Sequence, residues 1–217
     1  MTVAPYLVGV AGGSGAGKTA LVQVIAAALG PPRVALLVHD AYYRDRSDVE
    51  PAGRRQLNFD VPPALDQELF RAHLGALRRG DRIIPPRYCF ATHCRLEPGE
   101  PLEPREVVLV EGILLLHDPL VRDLLDLSIY VDAPDGLRLA RRIARDTAER
   151  GRTAESVLEQ YRATVLPAHG RFVEPTKVWA DLVLINTGRL EAIAEVAAAV
   201  IRARLARRQR AAGVRAA

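Results

Sequence analysis

Residues Gly9–Gln23 read GVAGGSGAGKTALVQ. Glycine is crowded here beyond what a helix or strand interior tolerates, yet apolar runs flank the stretch on both sides. YLVGV (Tyr6–Val10) has the pattern of a buried strand, and ALVQVIAAAL (Ala20–Leu29) that of a helix stopped by Gly30-Pro31-Pro32. Between them Gly12-x-x-x-x-Gly17-Lys18-Thr19 has the spacing of a phosphate-binding loop. The residue types follow from that task. Gly12, Gly13, Gly15 and Gly17, with Ser14 and Ala16 between them, let backbone N–H groups approach phosphate oxygens, and the helix start at Thr19 and Ala20 adds partial positive charge. Lys18 is expected at the β- and γ-phosphates of a nucleotide and the Thr19 hydroxyl at a Mg²⁺ ion. The chain has 30 Lys+Arg, of which only Lys18 and Lys177 are lysine. A sequence that writes nearly every cation as arginine keeps lysine where a compact charge on a flexible stem suits a phosphate cradle.

Composition bounds the rest. At 217 residues the chain suits one domain with a sizeable core, and 49% hydrophobic with 26% charged residues is ordinary for a globular protein. The formal charge of +4 is concentrated in RARLARRQRAAGVRAA at the C-terminus, which reads as a helix end with a solvated basic finish. The single face of cations interleaved with aromatics that nucleic acid requires is missing. No apolar run reaches membrane-spanning length and no signal core follows the N-terminus, so a cytoplasmic protein that engages neither membrane nor nucleic acid is expected. Cys89 and Cys94 fit a reducing compartment and read as small packing residues. Residues 1–208 are expected to form a single domain, with an insertion at 81–104, a lid region at 138–175 and a disordered basic tail at 209–217.

Four further apolar runs repeat the rhythm of strand then helix: Arg33–Val38, Glu106–Gly112, Leu127–Asp132 and Asp181–Asn186. That rhythm predicts a parallel sheet covered on both faces, and polar residues gather at the strands' C-terminal ends, where open α/β sheets bind ligands. Helices are expected over Asp66–Gly80, Asp135–Arg150, Thr153–Phe172 with a stop or kink at Pro167, and Leu190 to about Arg207. The proline-rich, aromatic-bearing segment 81–104 reads as a projecting hairpin, a lid or a substrate grip.

Phosphoryl transfer needs a held metal, a cradled γ-phosphate and an aligned acceptor, and the carboxylates narrow the reading toward it. Glu111 ends an apolar strand and is expected to hold Mg²⁺ directly or through water. Asp40 ends the strand after the first helix and can accept a proton, hold metal-bound water, or both. Arg138, Arg141, Arg142, Arg145, Arg150 and Arg152 crowd one segment. Arg138, Arg142 and Arg145 share a helical face that can close over phosphates; the plainer alternative is a solvated face paired with Asp146 and Glu149.

GGSGAGKT, HDAYYRD, NFDVP, RYCFATHCR, EGILLL, RRIARDTAERGR, EQY and EPTKVWAD stand in an order that resembles the uridine kinase (uridine–cytidine kinase) family of P-loop kinases, from Tyr6 to about Asp181. The resemblance implies a three-layer α/β/α P-loop fold with a five-stranded parallel sheet in the order 2-3-1-4-5 plus a β-hairpin lid. It implies transfer of the γ-phosphate of ATP or GTP, with Mg²⁺, to the 5′-hydroxyl of uridine or cytidine, by a homo-oligomer. Carried over by motif, Asp40 resembles the catalytic base and Tyr43 a substrate contact beside Phe59. Asp60 and Arg142 resemble the grip on the ribose hydroxyls. Tyr88, Phe90 and His93 resemble the surroundings of the pyrimidine, while Arg145, Arg150, Arg152 and Gln160 resemble lid and site contacts. The chain departs from the family's usual residues at Val61, at Cys89 and over Asn186–Arg189. The alternatives are a phosphoribulokinase-like or pantothenate kinase-like enzyme, and a nucleotide-binding regulator without turnover.

Overall fold

The computed structural model describes residues 4–54, 57–96 and 99–214. The chain runs β1 (Tyr6–Gly12), α1 (Lys18–Leu29), β2 (Val34–Val38), α2 (Pro51–Arg54), α3 (Gln67–Arg79), β3 (Arg87–Cys89), β4 (Cys94–Leu96) and β5 (Val107–Gly112). It continues through α4 (Pro119–Arg122), β6 (Leu127–Asp132), α5 (Asp135–Glu149), α6 (Ala154–Gln160), α7 (Leu166–Ala168), β7 (Leu182–Ile185) and α8 (Leu190–Val214). Five parallel strands form one sheet in the order β2-β5-β1-β6-β7, which in chain order of its members is 2-3-1-4-5. β3 and β4 form a separate antiparallel hairpin.

The alternation of side chains along central strands explains the two cores. Val8 and Val10 of β1 join Leu109 and Ile129 on one face, under Leu21 and Ile25 of α1 and Ala197 and Ile201 of α8. Leu7 and Ala11 point to the other face with Val108, Val110 and Tyr130, under Phe70, Leu74 and Leu77 of α3. Every residue of β1 is buried, as a strand covered on both faces must be. Helix α3 is capped by Asp66, whose carboxylate accepts from the Leu69 N–H, and ends on Gly80 in the left-handed conformation.

Two helical stretches gain detail in the structure. The helical path from Thr153 does not stop at Pro167: it widens into π-turns over Tyr161–Val165 and His169–Val173 on either side of α7 and tightens to a 3₁₀ turn over Glu174–Trp179. Proline lacks the N–H of the ordinary ladder, and the wider turns carry the backbone past it. Helix α8 continues to Val214, beyond the expected end at about Arg207 and into the basic tail. Arg208 Nη1 donates to the Pro5 carbonyl (3.3 Å) and Gln209 Nε2 to Glu106 (3.4 Å), which ties residues otherwise expected to fray onto the body of the protein. Residues 215–217 of that tail, and 97–98 of the insertion, lie outside the described residues.

Candidate active site

A cleft of about 750 Å³ opens at the C-terminal ends of β1, β2 and β5. Strand ends supply its floor: Lys18 and Thr19 follow β1, Asp40 follows β2, and Glu111 is the penultimate residue of β5. The hairpin brings Tyr88, Phe90 and His93 to one wall, with Tyr43, Phe59 and Asp60 beside them. Arg142, Arg145, Arg150, Arg152 and Gln160 form the opposite wall. Ser14 reaches the cleft from the loop that also contains Gly12, Gly13, Gly15, Ala16 and Gly17, and Ala20 lies in the first turn of α1.

The loop wraps tightly. Gly15 has φ +78°, and a β-carbon there would stand 2.2 Å from the Arg138 carbonyl oxygen, so both conformation and close approach demand glycine. Lys18 folds back to donate from Nζ to the Gly13 carbonyl (3.1 Å). Its burial lowers the ammonium pKa, against the pull of Glu111 and Asp40, which favour its charge. Asn186, at the end of β7, is buried and donates from Nδ2 to the Ala16 carbonyl (2.8 Å). Asn186 thus braces the phosphate loop.

Thr19 Oγ1 donates to Glu111 Oε1 at 2.8 Å. Burial raises the Glu111 carboxyl pKa, with Lys18 opposing. Asp40 Oδ1 is buried with no hydrogen-bond partner among the described residues. Its pKa is raised by burial, while Lys18, Arg150, Arg145 and Arg142 draw it down. Asp60 is raised by burial too, with Arg142 as the principal opposing charge. A hydroxyl and two strand-end carboxylates, one of them with a buried, unsatisfied oxygen, form the sparse oxygen set that suits Mg²⁺, which takes one or two carboxylates and completes its shell with phosphates and water.

Aromatic packing shapes the hairpin end. His93 stacks on Phe59 with centroids 4.4 Å apart and planes 9° off parallel, from a left-handed backbone (φ 57°). Tyr43 meets Phe59, Tyr88 and Phe90 at 5.7, 5.3 and 6.4 Å. The Arg150 guanidinium lies 4.4 Å over the Phe90 ring and joins the two walls. On the cationic wall Arg142 donates to Ser14 Oγ (2.8 Å) and to Gln160 Oε1 (3.0 Å), and Arg152 also donates to Gln160.

The arginine-rich helix is no solvated face. Arg138, Arg142 and Asp146 are buried, and only Glu149 of the acidic pair is exposed. Arg141 turns away to the Ala16 and Asn186 carbonyls (3.4 and 3.5 Å). Sequence reasoning passed over Ile113 and a second row on the lid, where Ser156, Ala163 and Thr164 line the cleft with Gln160. Helical spacing from Gln160 identifies that row once its orientation is known.

The chain matches the phosphoribulokinase / uridine kinase family over residues 7–193. It is 47% identical over 189 residues to a uridine kinase of Chloroflexus aurantiacus, covering 87% of this chain and 90% of that one. A uridine kinase of Listeria monocytogenes serotype 4a is 43% identical over 188 residues, with 87% and 90% covered. Among solved structures, the phosphoribulokinase of Rhodobacter spheroides superposes with a TM-score of 0.62 at 16% identity, covering 86% of this chain and 74% of that one, a likeness of fold.

Proposed function

Because the chain belongs to the phosphoribulokinase / uridine kinase family, we propose that its cleft transfers the γ-phosphate of ATP to the 5′-hydroxyl of uridine or cytidine. The observation that carries this reading is Asp40, whose unpartnered, buried Oδ1 shares one cleft with the phosphate-loop lysine and the aromatic hairpin. A carboxylate with a raised pKa is a stronger proton acceptor, and Asp40 takes the proton of the 5′-hydroxyl as that oxygen bonds to the γ-phosphorus and the bond to the β,γ-bridging oxygen breaks, releasing ADP.

Lys18 and the loop N–H groups hold the β- and γ-phosphates, and Thr19, Asp40 and Glu111 would hold Mg²⁺. When bound, that ion neutralises phosphate charge. Arg145 and Arg150 meet the charge on the phosphoryl group in flight, a role that pre-placed guanidiniums fill without reorganising. Asp60 and Arg142 grip the ribose hydroxyls, since a carboxylate accepts from two vicinal hydroxyls more strongly than a neutral group does. Tyr43, Phe59, Tyr88, Phe90 and His93 enclose the flat base, while Arg152 and Gln160 close the lid side. An imidazole both donates and accepts, which accommodates uracil and cytosine alike. GTP is the alternative donor. A sugar-phosphate acceptor would need a second anion pocket, and the acceptor end here is aromatic.

No helix among the described residues is long and apolar enough to cross a membrane. We place the reaction in the cytoplasm, with Mg²⁺ as its ion. The test is ADP production from ATP and Mg²⁺ with uridine, cytidine, ribulose 5-phosphate and pantothenate offered separately. Turnover with either nucleoside is expected. Turnover with ribulose 5-phosphate or pantothenate alone would replace the acceptor, and ATP binding without turnover on any of the four would replace the enzyme by a regulator.

A further inference from the structure

Asp146 has no exposed surface and no part in the chemistry above. Four guanidiniums surround its carboxylate. Oδ1 accepts from Arg145 Nε (2.9 Å), lies 2.8 Å from Arg145 Nη2 as an ion pair, and stands 3.6 Å from Arg150 Nη1. Oδ2 lies 3.6 Å from Arg142 Nε and 3.8 Å from Arg152 Nη1. The backbone joins in: the Asp146 carbonyl accepts from the N–H groups of both Arg150 and Arg152 at 3.2 Å. Gly151, at φ +62°, lets the chain reverse after α5 so that arginines from both sides of the turn return to one carboxylate.

The division of contacts matters. Oδ2 makes no hydrogen bond, so Arg142 and Arg152 are held at ion-pair distance and spend their donors on Ser14 and Gln160. Four like charges would otherwise repel one another across a half-buried wall, where screening is weaker than in open water. One carboxylate behind them offsets that repulsion and leaves net positive charge facing the cleft.

We propose that Asp146 is the positioning residue of the cationic wall: it gathers Arg142, Arg145, Arg150 and Arg152 behind the cleft and sets their direction toward the substrate phosphates and ribose. The proposal rests on the kinase reading of the cleft for its kinetic consequence, and on the ion-pair geometry alone for its structural one.

Two measurements separate these. In Asp146→Asn, kcat should fall about 10- to 100-fold per ATP-binding site, because misplaced groups lose most in the transition state, while the Kd for MgATP stays within about threefold. The KM for the nucleoside should rise, since Arg142 loses its counter-charge. A residue that merely holds α5 would lower the melting temperature and the active fraction, with kcat per ATP site unchanged, and that result overturns the proposal. If the Asn variant does not fold, Asp146→Glu decides: it keeps the charge but displaces it by a methylene, so several-fold loss of kcat supports the proposal and an unchanged kcat overturns it. Should the wild-type protein turn over neither nucleoside, the kinase reading fails, and the arginine Nε–H resonances of ¹⁵N-labelled protein still decide. Slowly exchanging signals that disappear in the Asp146 variant support the hub, and signals that persist refute it.

Discussion

Replacing Gly15 by alanine tests the phosphate loop with a matched control in the same chain. At φ +78° an L-residue bears about 1–2 kcal/mol of backbone strain. The new β-carbon would also stand 2.2 Å from the carbonyl oxygen and 2.9 Å from the carbonyl carbon of Arg138, both backbone atoms of α5. Relief to an ordinary carbon–oxygen contact of about 3.3 Å requires the loop and α5 to part by roughly 1 Å. The free loop can relax to another conformation, but phosphate binding demands the wrapped one, so most of the cost is felt on binding. Strain and separation together come to about 2–3 kcal/mol, or roughly 30- to 150-fold in the Kd for MgATP. Gly80→Ala is the control: φ is +91°, nothing lies within 4 Å of the added carbon, and the site is the end of α3. It should cost about 1 kcal/mol, a fall of about 2–4 °C in Tm, without touching ATP affinity. Calorimetric titration with MgATP and thermal melts of both variants supply the comparison. A Gly15→Ala protein that binds within about threefold of wild type, or a Gly80→Ala protein that loses affinity equally, would refute the reasoning.

Asp40→Asn should fold and bind MgATP yet lose about 10² or more in kcat, because proton acceptance acts in the transition state; near-normal turnover removes Asp40 from the mechanism. Asp60 supplies a pH prediction. Its buried carboxyl has a raised pKa, so the folded protein binds that proton more tightly than the unfolded chain, and stability falls as pH rises from the ordinary carboxylate range through the folded value. Asp60→Asn should therefore raise Tm at neutral pH, flatten the fall in Tm that accompanies rising pH across the acidic range, and raise the nucleoside KM, and melts across that range that show a lower neutral Tm would contradict the argument. His93→Asn keeps a residue that tolerates φ 57° but removes the stack on Phe59, so the uridine-to-cytidine ratio of kcat/KM should shift. An unchanged ratio places the ring outside base recognition.

Much of this molecule is legible in one dimension because the relevant signals are local. Strand, glycine turn and helix are adjacent around Gly12–Thr19, and the period of apolar residues in Asp66–Gly80 is a property of one helix, so both could be read without knowing what they touch. The strand ends that supply Asp40 and Glu111 were readable for the same reason. At Pro167 the missing N–H says that the ordinary ladder must yield and leaves open whether the helix stops or kinks; here the path continues through π-turns. The C-terminal helix runs past its expected end because the partners of Arg208 and Gln209, Pro5 and Glu106, lie 203 and 103 positions away in the sequence.

What the sequence by itself determined was the order of elements, the phosphate loop, and which residue types stand ready for phosphoryl chemistry. Only the tertiary structure decided how the charges divide. Asp146 and Glu149 look alike as neighbours of arginines in the chain, yet one is wholly buried among four guanidiniums and the other is exposed. Asn186 reads as a strand-end polar residue until β7 brings its amide to the Ala16 carbonyl, 170 positions away. The reason is physical. Periodicity and backbone chemistry act over a few residues, whereas burial and charge pairing depend on which distant segments the fold presses together, and those contacts leave no mark on the spacing of residues along the chain.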